Sequence, residues 1–335
     1  MSLRVGLLGC GQIGSAADET LGDDDPRVLT HARACQRSSD FELVALCDPD
    51  RSRAQEAADR RSLKDARVTD RIEELLEERL DVVVIAASTS AHIELATACI
   101  DSGVRLLVCE KPVGSTAEDV SALITHAESR GARVMVNFLR RHLSPIADGA
   151  AWVRAGGLGP LRSGVIRYPK GLLNWGSHGI DLLNWMLGTP EAVLFRGVVE
   201  DGRRDDRTQD VTLRYPDGSE VRLEGIDHRE VTLFEMDLLG RDGRLVLDDL
   251  GRRVTRSKVE EDTGFPGYRT LRCGQGEAVD LEGAMAAAWD HVLDLARSPD
   301  MPPVCGLAEA LDVHLVLEAV AKSERTGSLC ALDEA

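Results

Sequence analysis

Positive charge is scarce in this sequence: 40 Lys and Arg residues stand against 57 Asp and Glu, a formal net charge of −17. Such a surface repels a phosphate backbone, and no Lys/Arg run interleaved with aromatics offsets it, which argues against a nucleic-acid partner. Long apolar runs are missing as well. The strongest, residues 81–87 with its flanks, falls far short of the roughly 18 to 20 residues that a membrane span needs. The opening Met1-Ser2-Leu3-Arg4 runs straight into a strand-like stretch without the plan of a signal peptide, so a cytoplasmic protein with no membrane partner is expected. Eight cysteines (Cys10, Cys35, Cys47, Cys99, Cys109, Cys273, Cys305, Cys330) show no CxxC or Cys/His spacing. Reduced, mostly buried thiols are therefore expected, and no metal site or disulfide framework.

What remains is an ordinary globular chain of 335 residues, 43% hydrophobic and 29% charged, long enough for roughly two domains. In the first part, strand-length apolar runs at 4–8, 42–47, 82–86, 106–109 and 134–136 alternate with amphipathic segments at 27–37, 51–61, 71–78, 90–102 and 117–129. This alternation is the signature of βαβ units around a parallel sheet. After about residue 150 the pattern shifts to alternating Val, Leu and Arg separated by turn residues. Antiparallel strands are expected at 161–168, 193–199, 209–215, 220–226, 231–239, 244–248 and 252–257, with helices at 177–187, 283–297 and 307–326. The fold class is thus an α/β Rossmann domain over 1–138 and an α+β domain over 139–335 with a largely antiparallel open sheet, the latter for substrate binding and oligomerisation.

Gly9-Cys10-Gly11-Gln12-Ile13-Gly14 follows the first strand and opens a helical segment, the context that gives GxGxxG its meaning. Gly9 permits the tight turn, Gly11 lets backbone approach a pyrophosphate, and Gly14 lets helix and strand pack closely. The second strand ends in Asp48, where a carboxylate can accept hydrogen bonds from the adenosine ribose hydroxyls and repel a 2′-phosphate. NAD is therefore expected over NADP, although Arg51 and Arg53 stand close enough in sequence to offer a phosphate ligand. Gly14 and Asp48 are 34 residues apart where roughly 20 is usual; the excess, 16–30 with its acidic loop 22–26, reads as an insertion that breaks the first crossover helix and restarts it near His31.

Glu110-Lys111-Pro112 sits directly after the fourth apolar strand, at the carboxyl edge where open α/β sheets bind ligands. Together with the glycine motif, Asp48, the Ile85-Ala86-Ala87-Ser88-Thr89-Ser90-Ala91-His92 stretch and Asn174-Trp175-Gly176-Ser177-His178-Gly179-Ile180-Asp181, it makes the chain resemble the Gfo/Idh/MocA oxidoreductases. The resemblance implies NAD(P)-dependent oxidation or reduction of a secondary alcohol of a sugar, aminosugar or cyclitol. It also implies a homodimer or homotetramer built on the open sheet, cofactor contacts from Ala87, Ser88, His92, Glu110 and Lys111, and catalytic roles for Lys111 and His178.

The residue chemistry agrees. Hydride removal requires the hydroxyl proton to leave, so the site needs a base near neutrality, His178, and a donor that steadies the developing alkoxide, Lys111. Asn174 stands where many members of the family carry an aspartate; with Asp181, Lys170 and Arg141 it completes the expected substrate set. Tyr168 and the stretch 137–141 are candidates for the same cleft, and Trp175 for a substrate or cofactor contact. Two alternatives stay open: a bound-NAD, redox-neutral sugar enzyme, and a non-catalytic dinucleotide sensor.

Overall fold

The computed structural model describes residues 2–22 and 24–332. In chain order the first elements are β1 (Leu3–Leu8), α1 (His31–Arg37), β2 (Phe41–Cys47), α2 (Arg51–Arg60), β3 (Arg67–Thr69), α3 (Ile72–Leu76), β4 (Val82–Ile85), α4 (Thr89–Asp101), β5 (Leu106–Cys109), α5 (Ala117–Arg130) and β6 (Arg133–Val136). There follow α6 (Ser144–Arg154), β7 (Leu161–Tyr168), α7 (Ser177–Leu187), β8 (Ala192–Val199), β9 (Thr208–Arg214), β10 (Glu220–Gly225), β11 (Glu235–Gly240), β12 (Gly243–Asp248), β13 (Arg253–Glu261), β14 (Arg269–Cys273) and β15 (Glu277–Ala278). The chain closes with α8 (Ala284–Arg297), α9 (Leu307–Thr326) and β16 (Cys330–Ala331). None of the described helices is long and apolar enough to cross a membrane.

The chain divides into two compact units, residues 1–142 with 282–311 and residues 143–281 with 312–335. The first holds a six-stranded sheet in the order β3-β2-β1-β4-β5-β6, every pair parallel. Its central strands read as near-continuous Val, Ile and Leu because a parallel sheet is covered on both faces. Val5, Val84, Leu107 and Val108 are fully buried. Five strands are expected from the apolar runs, and the sixth, β3, is only three residues long with no apolar run to announce it.

The boundary differs from the sequence expectation. Helix α8, expected in a second domain over 139–335, lies in the first unit, because its stripe of Met285, Ala288, Trp289, Val292 and Leu295 is buried in that unit's core. The Arg133 guanidinium holds the helix end by donating to the carbonyls of Leu295, Ser298 and Met301.

Among the described residues of 17–30 there is no regular helix, and α1 starts at His31, later than the expected 27, because Thr30 caps it by accepting from the Arg33 backbone N–H. The insertion is pinned from beneath. Buried Asp18 accepts from the Thr30 hydroxyl (2.7 Å) and pairs with buried Arg61 (2.5 Å), while Arg33 donates to the carbonyls of Gly22 and Asp25. Asp23, part of the expected acidic loop, lies outside the described residues.

The second unit is built on a ten-stranded sheet, β14-β13-β12-β11-β7-β10-β9-β8-β16 with β15 beside β13. It is antiparallel throughout except for the β7–β10 pair. One face carries the buried alternation Ile166, Leu223, Met236, Leu245 and Val254. Helix α6 meets Leu245 and Val254 at Gly149, and α7 meets Ile166 at Gly179. The alternate residues form ion pairs, Arg167–Glu224, Arg244–Asp237 and Arg253–Asp248. Helix α6 is absent from the sequence expectation, although Pro145 at its first turn and buried Ile146, Ala150 and Val153 are its signals.

Candidate functional site

The first unit forms a cleft of about 580 Å³ at the carboxyl ends of β1, β2 and β4, lined by Gly9, Gly11, Asp48, Asp50, Arg53, Asp70, Ala87 and Ser88 among others. Gly9 has φ +95°, and a Cβ there would sit 2.6 Å from the Ala86 carbonyl carbon. At Gly14 a Cβ would collide with the Gly9 carbonyl oxygen, so this position brings the turn against the strand. A Cβ at Gly11 would meet nothing within 4 Å. The open space lies where a diphosphate would approach backbone, as the motif requires.

The motif does not open a long helix. Gln12–Ala16 is a five-residue π-helical turn, because the insertion diverts the chain after it. Gln12 is exposed on this turn, and Ile13 packs partly buried against the core rather than lining the cleft.

Asp48 is buried, and its carboxylate is already oriented. Oδ2 accepts from the Cys10 backbone N–H (2.9 Å) and Oδ1 from the Asp50 backbone N–H (3.0 Å). A carboxylate offers about four lone-pair sites, so two backbone bonds fix it without saturating it for ribose hydroxyls. Arg53, which could have offered a phosphate ligand, is engaged by Asp50 (3.5 Å). Asp48, Asp50 and Asp70 thus outnumber the one arginine lining the cleft. Burial, then the Asp48 charge, pushes the Cys10 thiol up to about 12, so the motif's cysteine stays protonated and inert at neutral pH. Of the eight cysteines seven are buried, all eight are free, and Cys273 is exposed.

The Glu110-Lys111-Pro112 turn follows β5, and its Lys111–Pro112 bond is cis. His92, expected to touch the cofactor, is instead a buried clamp. Its Nε2 lies 2.9 Å from the Ala87 carbonyl and its Nδ1 2.8 Å from the Pro112 carbonyl, tying the Lys111 turn to the cleft wall. Glu110 is buried too and accepts from Asn137 Nδ2 (2.6 Å) and His31 Nε2 (3.0 Å). Arg141 departs from the expectation of a cleft cation: it is buried in this unit, and its guanidinium donates to the Val304 carbonyl (3.2 Å).

In the second unit the strap from Lys170 to Gly176 leads into α7. Lys170 adopts φ +57° and carries its ammonium 5.8 Å above the Trp175 ring. Residues Leu172–Gly176 form a π-helical turn continuous with α7. Asn174 is exposed, His178 half-buried, and Asp181 buried on α7 one turn after His178. Tyr168, a candidate for the cleft, is buried with its hydroxyl between the Gln209 carbonyl and N–H.

The loop 200–207, a charged loop in the sequence, holds the strap. The Asp206 carboxylate accepts from the N–H groups of Leu173 (2.8 Å) and Asn174 (2.9 Å). Thr208 accepts from Gly171 N–H and donates to buried Asp201. Asp50, Asp70, Asp206 and Thr208 all escaped the sequence reading. The Asp48-Pro49-Asp50 run was a local signal for the first; Asp206 gave none, since nothing local announces a carboxylate that caps a segment more than thirty residues earlier.

Residues 3–138 match the model of the oxidoreductase family, NAD-binding Rossmann fold, called Gfo/Idh/MocA. The match is to this part of the chain, the segment that carries the six-stranded parallel sheet. Among curated proteins, the chain is 30% identical over 199 residues to inositol 2-dehydrogenase of Salmonella paratyphi B, covering 56% of this chain and 55% of that one. It thus spans about half the length of that relative. The D-xylose 1-dehydrogenase (NADP(+)) 2 of Haloferax volcanii is 27% identical over 318 residues, covering 89% of this chain and 94% of that one. The fold of the whole chain matches the WlbA dehydrogenase of Bordetella pertussis, solved with NADH and UDP-GlcNAcA, with a TM-score of 0.78 over 99% of both chains at 19% identity.

Proposed function

We propose that the protein is a cytoplasmic NAD-dependent oxidoreductase acting on a secondary alcohol or ketone of a sugar, aminosugar or cyclitol. The observation that carries the reading is the pinned Lys111 turn: His92 ties Pro112 to Ala87, a residue of the wall that also presents Gly11 and Asp48. The turn that carries Lys111 is thereby fixed to the wall of a dinucleotide cleft. The relatives named above, an inositol and a xylose dehydrogenase, support the substrate class.

Bound NAD supplies the hydride acceptor. Gly9, Gly11 and Asp48 would hold it, with Ala87 and Ser88 along the wall and Gln12 at the turn. Asp48 takes the ribose hydroxyls, and the acidic lining disfavours a 2′-phosphate. In the reaction, His178 takes the proton of the substrate hydroxyl, and the Lys111 ammonium steadies the oxygen as its negative charge develops. Asn174, Asp181 and Lys170 bind the remaining hydroxyls; Asn174 is neutral, so it recognises a hydroxyl without serving as a carboxylate partner of His178. The ion-paired face of the second sheet serves assembly into a homodimer or homotetramer.

The test is a screen of NAD reduction over inositols, neutral sugars, aminosugars and nucleotide sugars at two salt concentrations. Turnover on an unphosphorylated ring, little changed by salt, is expected. Activity confined to nucleotide sugars and weakening with salt would replace this substrate class by an anionic one.

A further inference from the structure

The cleft and the strap leave one buried polar cluster without a task, in the first unit behind Lys111. Four side chains from four separate parts of the chain meet there: His31 at the start of α1, Glu110 after β5, Asn137 after β6 and Trp289 on α8. Their exposures are 1%, 8%, 1% and 3%. The Trp289 indole N–H donates to His31 Nδ1 at 3.1 Å. Trp289 is itself held edge-on against Phe41, ring centroids 4.8 Å apart. An indole nitrogen can only donate, so Nδ1 of His31 must be the accepting nitrogen and Nε2 the one that carries hydrogen. That Nε2–H points at Glu110 Oε1 (3.0 Å), where the Asn137 amide also donates (2.6 Å).

Burying a carboxylate is costly unless it is both hydrogen-bonded and answered by charge. Asn137 and the Nε2–H tautomer of His31 supply hydrogen bonds. Lys111, the adjacent residue in the chain, adds a positive charge. Burial, the largest influence, pushes the Glu110 carboxyl up, but His31 first, then the Asn137 hydrogen bond and the Lys111 charge, outweigh it, and the group lies below its ordinary value. The tryptophan fixes the histidine tautomer, and the histidine and Asn137 fix the carboxylate that precedes Lys111 in the chain.

We infer that His31, Asn137 and Trp289 are positioning residues that hold Glu110 ionised and oriented as the fixed counter-charge of Lys111. The inference deepens the reading of Lys111 as a proton-handling group and rests on it for its catalytic meaning, but its test needs no substrate. Lys111 is acylated with an amine-selective reagent at pH 8 and its modification rate is read by peptide mass spectrometry, with exposed Lys64 as the internal reference.

Glu110→Gln preserves shape and removes charge, and should speed acylation of Lys111 about tenfold, the effect of removing one nearby opposite charge, with Lys64 unchanged. Trp289→Phe keeps the aromatic packing and covers the case in which Glu110→Gln does not fold. It should abolish the wild-type ¹⁵N pattern of His31, in which Nε2 is protonated and Nδ1 accepts, and raise Lys111 reactivity about twofold or more. Unchanged Lys111 reactivity in folded Glu110→Gln, or a wild-type His31 protonated on Nδ1, would overturn the proposal. A protein that turned over no polyol would refute the proposed reaction and leave these readouts intact, so the two failures are distinguishable.

Discussion

The dinucleotide cleft of the first unit and the His178 strap of the second do comparable work by opposite means. In the cleft, the shape comes from backbone: a glycine at φ +95°, another against a carbonyl, and one carboxylate bridging two N–H groups. In the strap, the shape comes from side chains that arrive from a distant loop, with Asp206 and Thr208 accepting from the N–H groups of Leu173, Asn174 and Gly171. Backbone constraints leave a signature in a few consecutive residues. Long-range capping leaves almost none.

The largest effect should come from the two groups assigned to proton transfer. Lys111→Ala and His178→Ala are each expected to lower turnover by about a hundredfold or more with NAD affinity little changed, as measured by steady-state rates and calorimetry. Either variant retaining near wild-type turnover while folded would remove that residue from the proton path. Asp206→Ala sharpens the contrast between the regions: with two N–H groups of the strap uncapped, turnover should fall about tenfold, again without loss of NAD binding. A parallel fall in NAD affinity would mean that the strap is not a separate device.

A smaller effect concerns the first unit's stability rather than its chemistry. Burial, then the charges of His291 and Arg141, pulls His142 down to about 4, and its ring lies 5.4 Å from that of His291. The unfolded chain binds this proton at about 6.5, so the contribution is complete above that pH and is lost as pH falls toward 4. His142→Phe should therefore flatten the stability decline between about pH 6.5 and 4 by on the order of 2 kcal/mol, as read by denaturant unfolding. An unchanged slope would contradict the assignment. Asp48→Ala should narrow the preference for NAD over NADP and also weaken NAD itself, because the same carboxylate anchors Cys10.

Much of the architecture was legible because a parallel sheet needs runs of Val, Ile and Leu, and β5, β7, α7 and α9 start and stop at the residues their patterns mark. The misses share a cause. The strand β3 is too short to carry a period, and the affinity of α8 for the first core depends on partners about 250 residues away, such as His31 and Phe41. At the site, Gly9, Gly11 and Asp48 were visible as a motif in context, whereas His92 looks like a ligand in sequence and is a clamp between two carbonyls in the fold. Arg141 likewise looked like a free cation, yet it is buried against the Val304 carbonyl. A charged side chain read from sequence is assigned to solvent or substrate by default; only the fold shows a backbone carbonyl or N–H waiting for it.

The claim on which the rest depends is that the first unit is an NAD site whose acidic lining rejects a 2′-phosphate. Calorimetric titration of the wild-type protein with NAD and with NADP tests it without knowledge of the substrate. NAD is expected to bind at least about tenfold more tightly, one opposing charge's worth of discrimination. Equal or tighter binding of NADP would contradict the account, transferring the role given to Asp48 and Asp50 to Arg53.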